Sequence, residues 1–372
     1  GPYAPDMASG GTSATAPRPS AFLAHLKLTM VVVVLVLTPA IVMLLVTWAG
    51  TGTPQSAATW ASLPAIVTIA AAMAGGRRFA VVVAIVMAFL APLAIVAGLS
   101  PVSGAGLMAI LCLVVGRLSR FGLHRSGLLV PVMLAWPLID PPAWNGATTV
   151  DRLDTPYLLW MTLTFFVGGL VPALVVPLLM RKRKGRALEQ HSQREAVTYS
   201  VIITTLVTVG TFYVLDNPAM FGGAFLIAAI LVLAPIGTAQ TLAPTILRVV
   251  ATIGGSVLVV ALVAKIDSLV LIYLFGLLLL IVAMMGRLSG LAWLYYVCMV
   301  PATASLNATS LTQVGELGKQ RVVDNIVGGV LVLLASAVAI GYSSWAGRHG
   351  EATDTDHEVA AVASADLEVS GT

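Results

Sequence analysis

Two stretches place ionisable and hydroxyl-bearing side chains at helical spacing where long apolar runs begin. The first is LRVVATIGG at 247–255, in which Arg248 and Thr252 stand four apart and so share a helix face. A guanidinium with a hydroxyl one turn away offers an anion both charge and a hydrogen bond. The stretch follows APIGTAQTLAPT at 234–245, rich in Pro, Gly and Thr and expected to be non-helical. Arg248 would then open a helix, where free amides and the macrodipole already favour an anion. A second account of Arg248 stands beside this one, in which its side chain snorkels to cytoplasmic headgroups.

The other stretch is KQRVVDNIVGG at 319–329. Arg321 and Asp324 are three apart and can pair, Asn325 adds an amide, and Gly328-Gly329 let another helix approach closely. One account is a salt bridge that caps and registers the helix. The other is a protonatable carboxylate, or gate, at the outer mouth of a pathway. DRLDT at 151–155, with Arg152 and Asp154, is the first-half counterpart. Other chemistry is scarce. There is no P-loop or HExxH motif, and the five histidines fall in expected loops or tails. Cys112 and Cys298 lie inside apolar runs and are read as small core residues. No enzyme activity, metal or cofactor is expected.

The elements that must position these residues are membrane helices. Of 372 residues, 58% are hydrophobic and 10% charged, with mean hydropathy +0.97. A soluble domain carries about 25% charged residues, so a water-covered surface cannot be built from this composition. Apolar runs long enough to cross about 30 Å of hydrocarbon as helices recur, without the alternation of barrel strands. Twelve spans are expected, near 28–49, 59–75, 79–98, 102–118, 126–140 and 157–180, then 197–215, 220–237, 247–264, 268–286, 290–305 and 321–343. Around them lie a disordered cytoplasmic segment at 1–26, a basic linker at 181–196 and an acidic disordered tail at 344–372. The membrane parts are 27–180 and 197–343. Gly1-Pro2 reads as a protease scar with Met7 as the start, and no cleavable signal peptide is expected.

Lys and Arg positions set the orientation. With both termini cytoplasmic, only Arg152, Lys265, Lys319 and Arg321 of the twenty basic residues fall outside. Arg77, Arg78, Arg117, Arg248, Arg287 and the RKRKGR run at 181–186 are inside. That run is a topology signal beside a span, so nucleic acid is not an expected partner. Asp140, Asp151, Asp154, Asp216, Asp267, Glu316 and Asp324 make the outer face net negative, against a strongly positive inner face. Such a field gathers anions on the cytoplasmic side.

A single offset of 170 relates the two halves. GRLS at 116–119 recurs at 286–289, Gly106-Leu107 at Gly276-Leu277, and Val130-Pro131 at Val300-Pro301. Arg78 maps onto Arg248, and Asp154 onto Asp324. The fold expected is therefore all-α and polytopic: two six-helix repeats in parallel orientation, about a pseudo-two-fold along the membrane normal. Binding sites form where such repeats meet.

In these stretches the chain resembles the fusaric acid resistance protein-like (FUSC) family, also called the aromatic acid exporter superfamily. The R-x-x-G-T-x-x-G pattern of that family is matched by Arg248, Ala251 in place of the first glycine, Thr252 and Gly255. Its R-x-x-D-(T/N)-x-x-G pattern is matched by Arg321, Asp324, Asn325 and Gly328. The likeness covers about 197–343 well, whereas the first half keeps only Arg78 and the Arg152–Asp154 fragment. The resemblance implies efflux of small organic anions or amphipathic compounds through the cell membrane, with the proton gradient as one candidate drive, or passive anion conduction as in the plant malate-channel branch. The large cytoplasmic domain of the long exporters is missing here, since the linker at 181–196 is short. Arg248, Thr252 and Arg78 would bind substrate; Asp324, Arg321, Asn325, Asp154 and Arg152 would gate or carry protons. The competing expectation is a non-transporting scaffold subunit of a cell-envelope assembly. The expected partners are the lipid bilayer, a small organic anion, and either further copies of the chain or an envelope protein.

Overall fold

Helices are the only regular structure among the described residues of the computed structural model. These are 55–141, 150–179, 191–217, 223–234, 242–288, 291–307 and 314–335, with parts of 26–45 and residues 311–312 and 337–338. The N-terminal segment up to residue 25, the RKRKGR run, residues 235–241 and the tail at 344–372 lie outside the described residues. In chain order the helices are α1 (Val36–Leu45), α2 (Gln55–Ala97), α3 (Pro101–Ser119), the single turn α4 (His124–Gly127) and α5 (Leu129–Ile139). Then follow α6 (Thr155–Leu179), α7 (Gln193–Asp216), α8 (Gly223–Leu233), α9 (Leu242–Val263), α10 (Leu269–Leu288), α11 (Ala292–Asn307) and α12 (residues 314–335).

Gly76 divides α2 into two arms. Its φ of 74° lies in the left-handed region, which glycine adopts without a Cβ penalty. Each arm, 55–75 and 77–97, has a length of about 31 Å at 1.5 Å per residue, one bilayer core. The arms fold back on each other. Gly169 of α6 lies against Thr68, eight residues before Gly76, and against Ala84, eight residues after it. Alanines at 71, 72, 80 and 84 keep this three-helix contact close, joined by Ala173 and Val176.

Local sequence sets the helix starts. Pro101 follows the extended Ser100 and needs no amide partner at the first turn of α3. Ser192 and Glu195 form a reciprocal capping box at α7: the Glu195 amide donates to Ser192 Oγ, and the Ser192 amide donates to Glu195 Oε2. α3 and α7 then run antiparallel, with Gly116 against Ser200 at one end and Gly104 against Leu215 at the other. One apolar core joins α2, α3, α5, α6, α7 and α8, and takes in Val332 of α12. Smaller clusters tie α9, α10, α11 and α12 together. Cys112 and Cys298 are buried free thiols within these cores, as expected.

Among the described residues, four helices are long and apolar enough to cross a bilayer: Trp60–Ala97, Pro101–Ser119, Thr155–Leu178 and Gln193–Asp216. Large apolar side chains face outward along them, with Val102 71% exposed and Phe89 69%. In water such contiguous exposure is unfavourable, whereas in lipid it costs nothing.

Two helix starts differ from the sequence reading. α9 begins at Leu242, because Pro244 falls in its first turn, where proline is tolerated. α12 is helical from residue 314, through a GELGKQ segment that hydropathy reads as loop. Glu, Leu, Lys and Gln are good helix formers, and Val314 and Leu317 seat in the cluster with Val259, Ile272 and Ala304.

Candidate functional site

Arg321, Asp324, Asn325 and Gly328 repeat at i, i+3, i+4 and i+7, one face of α12. That face meets α8. A Cβ placed on Gly328 would lie 3.0 Å from that of Ala229, so glycine lets the two backbones approach. One turn and more above, the Arg321 guanidinium carbon sits 4.0 Å from the centre of the Phe225 ring. A partly desolvated cation over an aromatic face gains about 1–2 kcal/mol. Phe225 also meets Trp136 of α5, edge to face at 5.2 Å and 87°. Three residues from three helices thus form one stack.

Asp324 and Asn325 are buried, at 3% and 8% exposure. The Asn325 amide nitrogen donates to the main-chain carbonyl of Arg321 at 2.8 Å. Its own carbonyl oxygen and Asp324 Oδ2 are buried without a hydrogen-bond partner. Buried acceptors in a dry site cost several kcal/mol until a donor arrives. A proton on the carboxyl, a water or a guest donor would each meet that demand. Ionisable groups placed this way in apolar helices mark ion and proton paths.

The first-half counterpart is built differently. Arg152 lies in the connection before α6 and forks across two helix ends. Nη1 donates to Leu138 O at 2.7 Å and Ile95 O at 3.3 Å, and Nη2 donates to Ile139 O at 3.0 Å. It therefore caps the C-termini of α5 and of the second arm of α2. Desolvation pulls the guanidinium below its ordinary value, and Asp140 opposes that shift. Asp154 precedes α6 and accepts from the Tyr157 amide at 3.3 Å, an N-cap. The sequence correspondence between Asp154 and Asp324 therefore does not extend to place: one caps a helix and the other sits eleven residues into one.

Thr252 is buried, at 3% exposure, on the face of α9 whose Gly255 packs against Val297 and Pro301 of α11. Arg248 is the seventh residue of α9, and its side chain lies outside the described residues. Six residues past the helix start, Arg248 lies beyond the reach of the N-terminal macrodipole, which fades within the first turn, and so does not open the helix as the sequence led one to expect. Arg78 is exposed, two residues past the bend at Gly76. Thr252 thus lies on α9, Asp324 and Asn325 on α12, and Arg78 at the bend of α2.

Sequence reasoning missed Phe225 and Trp136, which carry no polar group and appear as ordinary apolar positions. It also missed a pair of histidines. His124 of α4 and His191, just before α7, stack edge to face at 5.0 Å, with Tyr199 at 6.4 Å from His124. Among the described residues no group of three or more His, Cys, Asp or Glu is placed to hold a metal ion. Compared with protein-family models, curated proteins and solved structures, the chain matches none.

Proposed function

We propose that the chain is a multi-pass cell-membrane transporter that exports small organic anions in exchange for protons. In this reading it comprises two six-helix units of the same orientation, with both termini cytoplasmic. The units are α1, the two arms of α2, α3, α4–α5 and α6, followed by α7 to α12. Within the proposed units, α2 packs on α5 and α9 packs on α11. The depths also agree with this topology. Trp136, Phe225 and Arg321 all fall near helix ends assigned to the outer side, and Arg152 joins two outer ends.

The observation that carries the reading is the buried Asp324–Asn325 pair, whose two acceptors lack donors inside an apolar helix. A carboxyl so placed takes up a proton from the outer side and releases it inward as the guest anion leaves. Arg248, Thr252 and Arg78 supply the inward-facing reception of the anion, and Arg321, Asn325, Asp154 and Arg152 the outer end. The motif residues Arg248–Gly255 and Arg321–Gly328 align this function with the FUSC resemblance.

Purified protein in liposomes tests it. Flux of benzoate-like acids should rise with an imposed pH gradient, and Asp324→Asn should remove that dependence. Equal flux across empty and protein-containing vesicles for every acid tried would end the transport reading. A flux indifferent to the gradient would leave passive conduction in its place.

A further inference from the structure

We propose that the groove between α9 and α12 is a binding site for a straight-chain aliphatic monocarboxylate. The Ser256 hydroxyl donates to its carboxylate, and its chain lies along Val260, Ala261 and Ala264. As a substrate class for the proposed export, the assignment rests on that reading.

Gly318 of α12 meets Val259 of α9, where a Cβ on the glycine would lie 3.1 Å from Val259 Cγ1. Beside this contact is a groove of about 400 Å³, within the roughly 300–1,000 Å³ of small-molecule sites. Val257, Val260, Ala261 and Ala264 line it from α9 at i, i+3, i+4 and i+7, one helix face. Val322 and Lys319 line it from α12. The four α9 residues are exposed, so the groove is open on its lipid side. From Ser256 to Ala264 the wall rises about 12 Å at 1.5 Å per residue, most of one leaflet of a core about 30 Å thick.

Ser256 supplies the polar end. It lines the groove at 3% exposure, and its Oγ has no hydrogen-bond partner among the described residues. Hydroxyls elsewhere in this chain turn back onto their own helix. Ser119 Oγ donates to Gly116 O at 2.6 Å, and Thr68 Oγ1 to Pro64 O at 2.9 Å. Ser256 does not, which leaves its proton for a guest. Lys319 sets the sign of that guest. It pairs with Glu316 at 3.1 Å, but Lys319 rather than Glu316 lines the groove, so the pair turns its positive end inward. A phospholipid tail would set methylenes against Ser256 and leave the hydroxyl unmet at hydrocarbon depth, which is unfavourable. A free acid seats its head there instead, with its chain in the apolar part. A single-ring acid spans only part of that wall.

The experiment uses the full-length protein in nanodiscs, with a diazirine-bearing decanoic acid as photoprobe. Label should fall within 256–264 and 319–322, and decanoate should displace it where decanol, decylamine and methyl decanoate do not. Ser256→Ala, which removes only the hydroxyl, should weaken binding about tenfold, as for loss of one hydrogen bond to a charged group. Ala261→Phe, which fills the groove from its exposed side, should abolish labelling. Should Ser256→Ala fail to insert, Ala261→Phe decides alone. Displacement by decanol or the methyl ester as strong as by decanoate would make the groove a seat for lipid chains and overturn the proposal. Labelling unchanged in both variants would overturn it as well. Flux in liposomes separates the two readings. The expected labelling without any acid flux would end the transport reading and keep the site. Decanoate flux with no label in the groove would remove the site and keep transport.

Discussion

The guanidinium of Arg152 donates to the Leu138 carbonyl across 2.7 Å, tying the connection before α6 to the end of α5. Its other donors reach Ile139 and Ile95, so one side chain satisfies carbonyls on two helices. Arg152→Ala should lower stability in detergent by roughly 2–4 kcal/mol, since charged hydrogen bonds are lost and helix-end carbonyls lose their donor. Arg152→Lys should rescue little, because an ammonium cannot fork across two ends. Thermal melting of the two variants checks this. Melting curves that superimpose on wild type would free Arg152 for the gating role instead.

The hairpin of α2 makes a graded prediction at two adjacent glycines. A Cβ at Gly169 would lie 3.1 Å from that of Ala84 and 3.3 Å from the Thr68 methyl, which small shifts can relieve. A Cβ at Gly168 would press on the backbone of Ala61, including its carbonyl, which cannot move aside. Gly168→Ala should therefore cost about 1–3 kcal/mol, the range of overpacking, and Gly169→Ala clearly less. Melting temperatures in the reverse order would show that α6 does not seat between the arms as described.

What the sequence exposed was whatever depends on composition and local chemistry. The helical class, the bend at Gly75-Gly76-Arg77-Arg78, the buried cysteines and the polar face at 321–328 could all be read from residue types and spacing. Helix starts could not, where tertiary packing outweighs hydropathy. GELGKQ reads as loop, yet it is helical because Val314 and Leu317 have a cluster to enter. The role of Arg152 was hidden for a different reason. Its partners are main-chain carbonyls 13, 14 and 57 residues away, and a carbonyl leaves no mark on the sequence. Phe225 and Trp136 were invisible for the same cause, since contact between α5 and α8 has no local signature.

Thr252 separates a hydrogen-bonding role from a packing one. Thr252→Val keeps the shape of a 3%-exposed side chain while removing the hydroxyl. If the hydroxyl donates to the anion, the KM for acid should rise about 5–30-fold, as for loss of one hydrogen bond to a charged group, with folding unchanged. Arg248→Ala should abolish export while the protein still inserts. Unaltered KM in Thr252→Val together with full export in Arg248→Ala would remove α9 from the pathway.

Asp324 carries the last prediction, because a functional burial should be visible as a stability cost. The carboxyl is desolvated and Oδ2 lacks a donor, an arrangement that packing alone would not favour. Asp324→Asn is nearly isosteric and removes the ionisable group. It should leave stability unchanged or raise it by about 1–2 kcal/mol while eliminating gradient-driven flux. A structural carboxylate behaves in the opposite way, since removing a charge that its surroundings satisfy exposes the partners and destabilises the fold. Melting and flux measured on one preparation therefore discriminate the two roles. Loss of stability with flux retained would mark Asp324 as a helix-packing residue and move the proton path elsewhere.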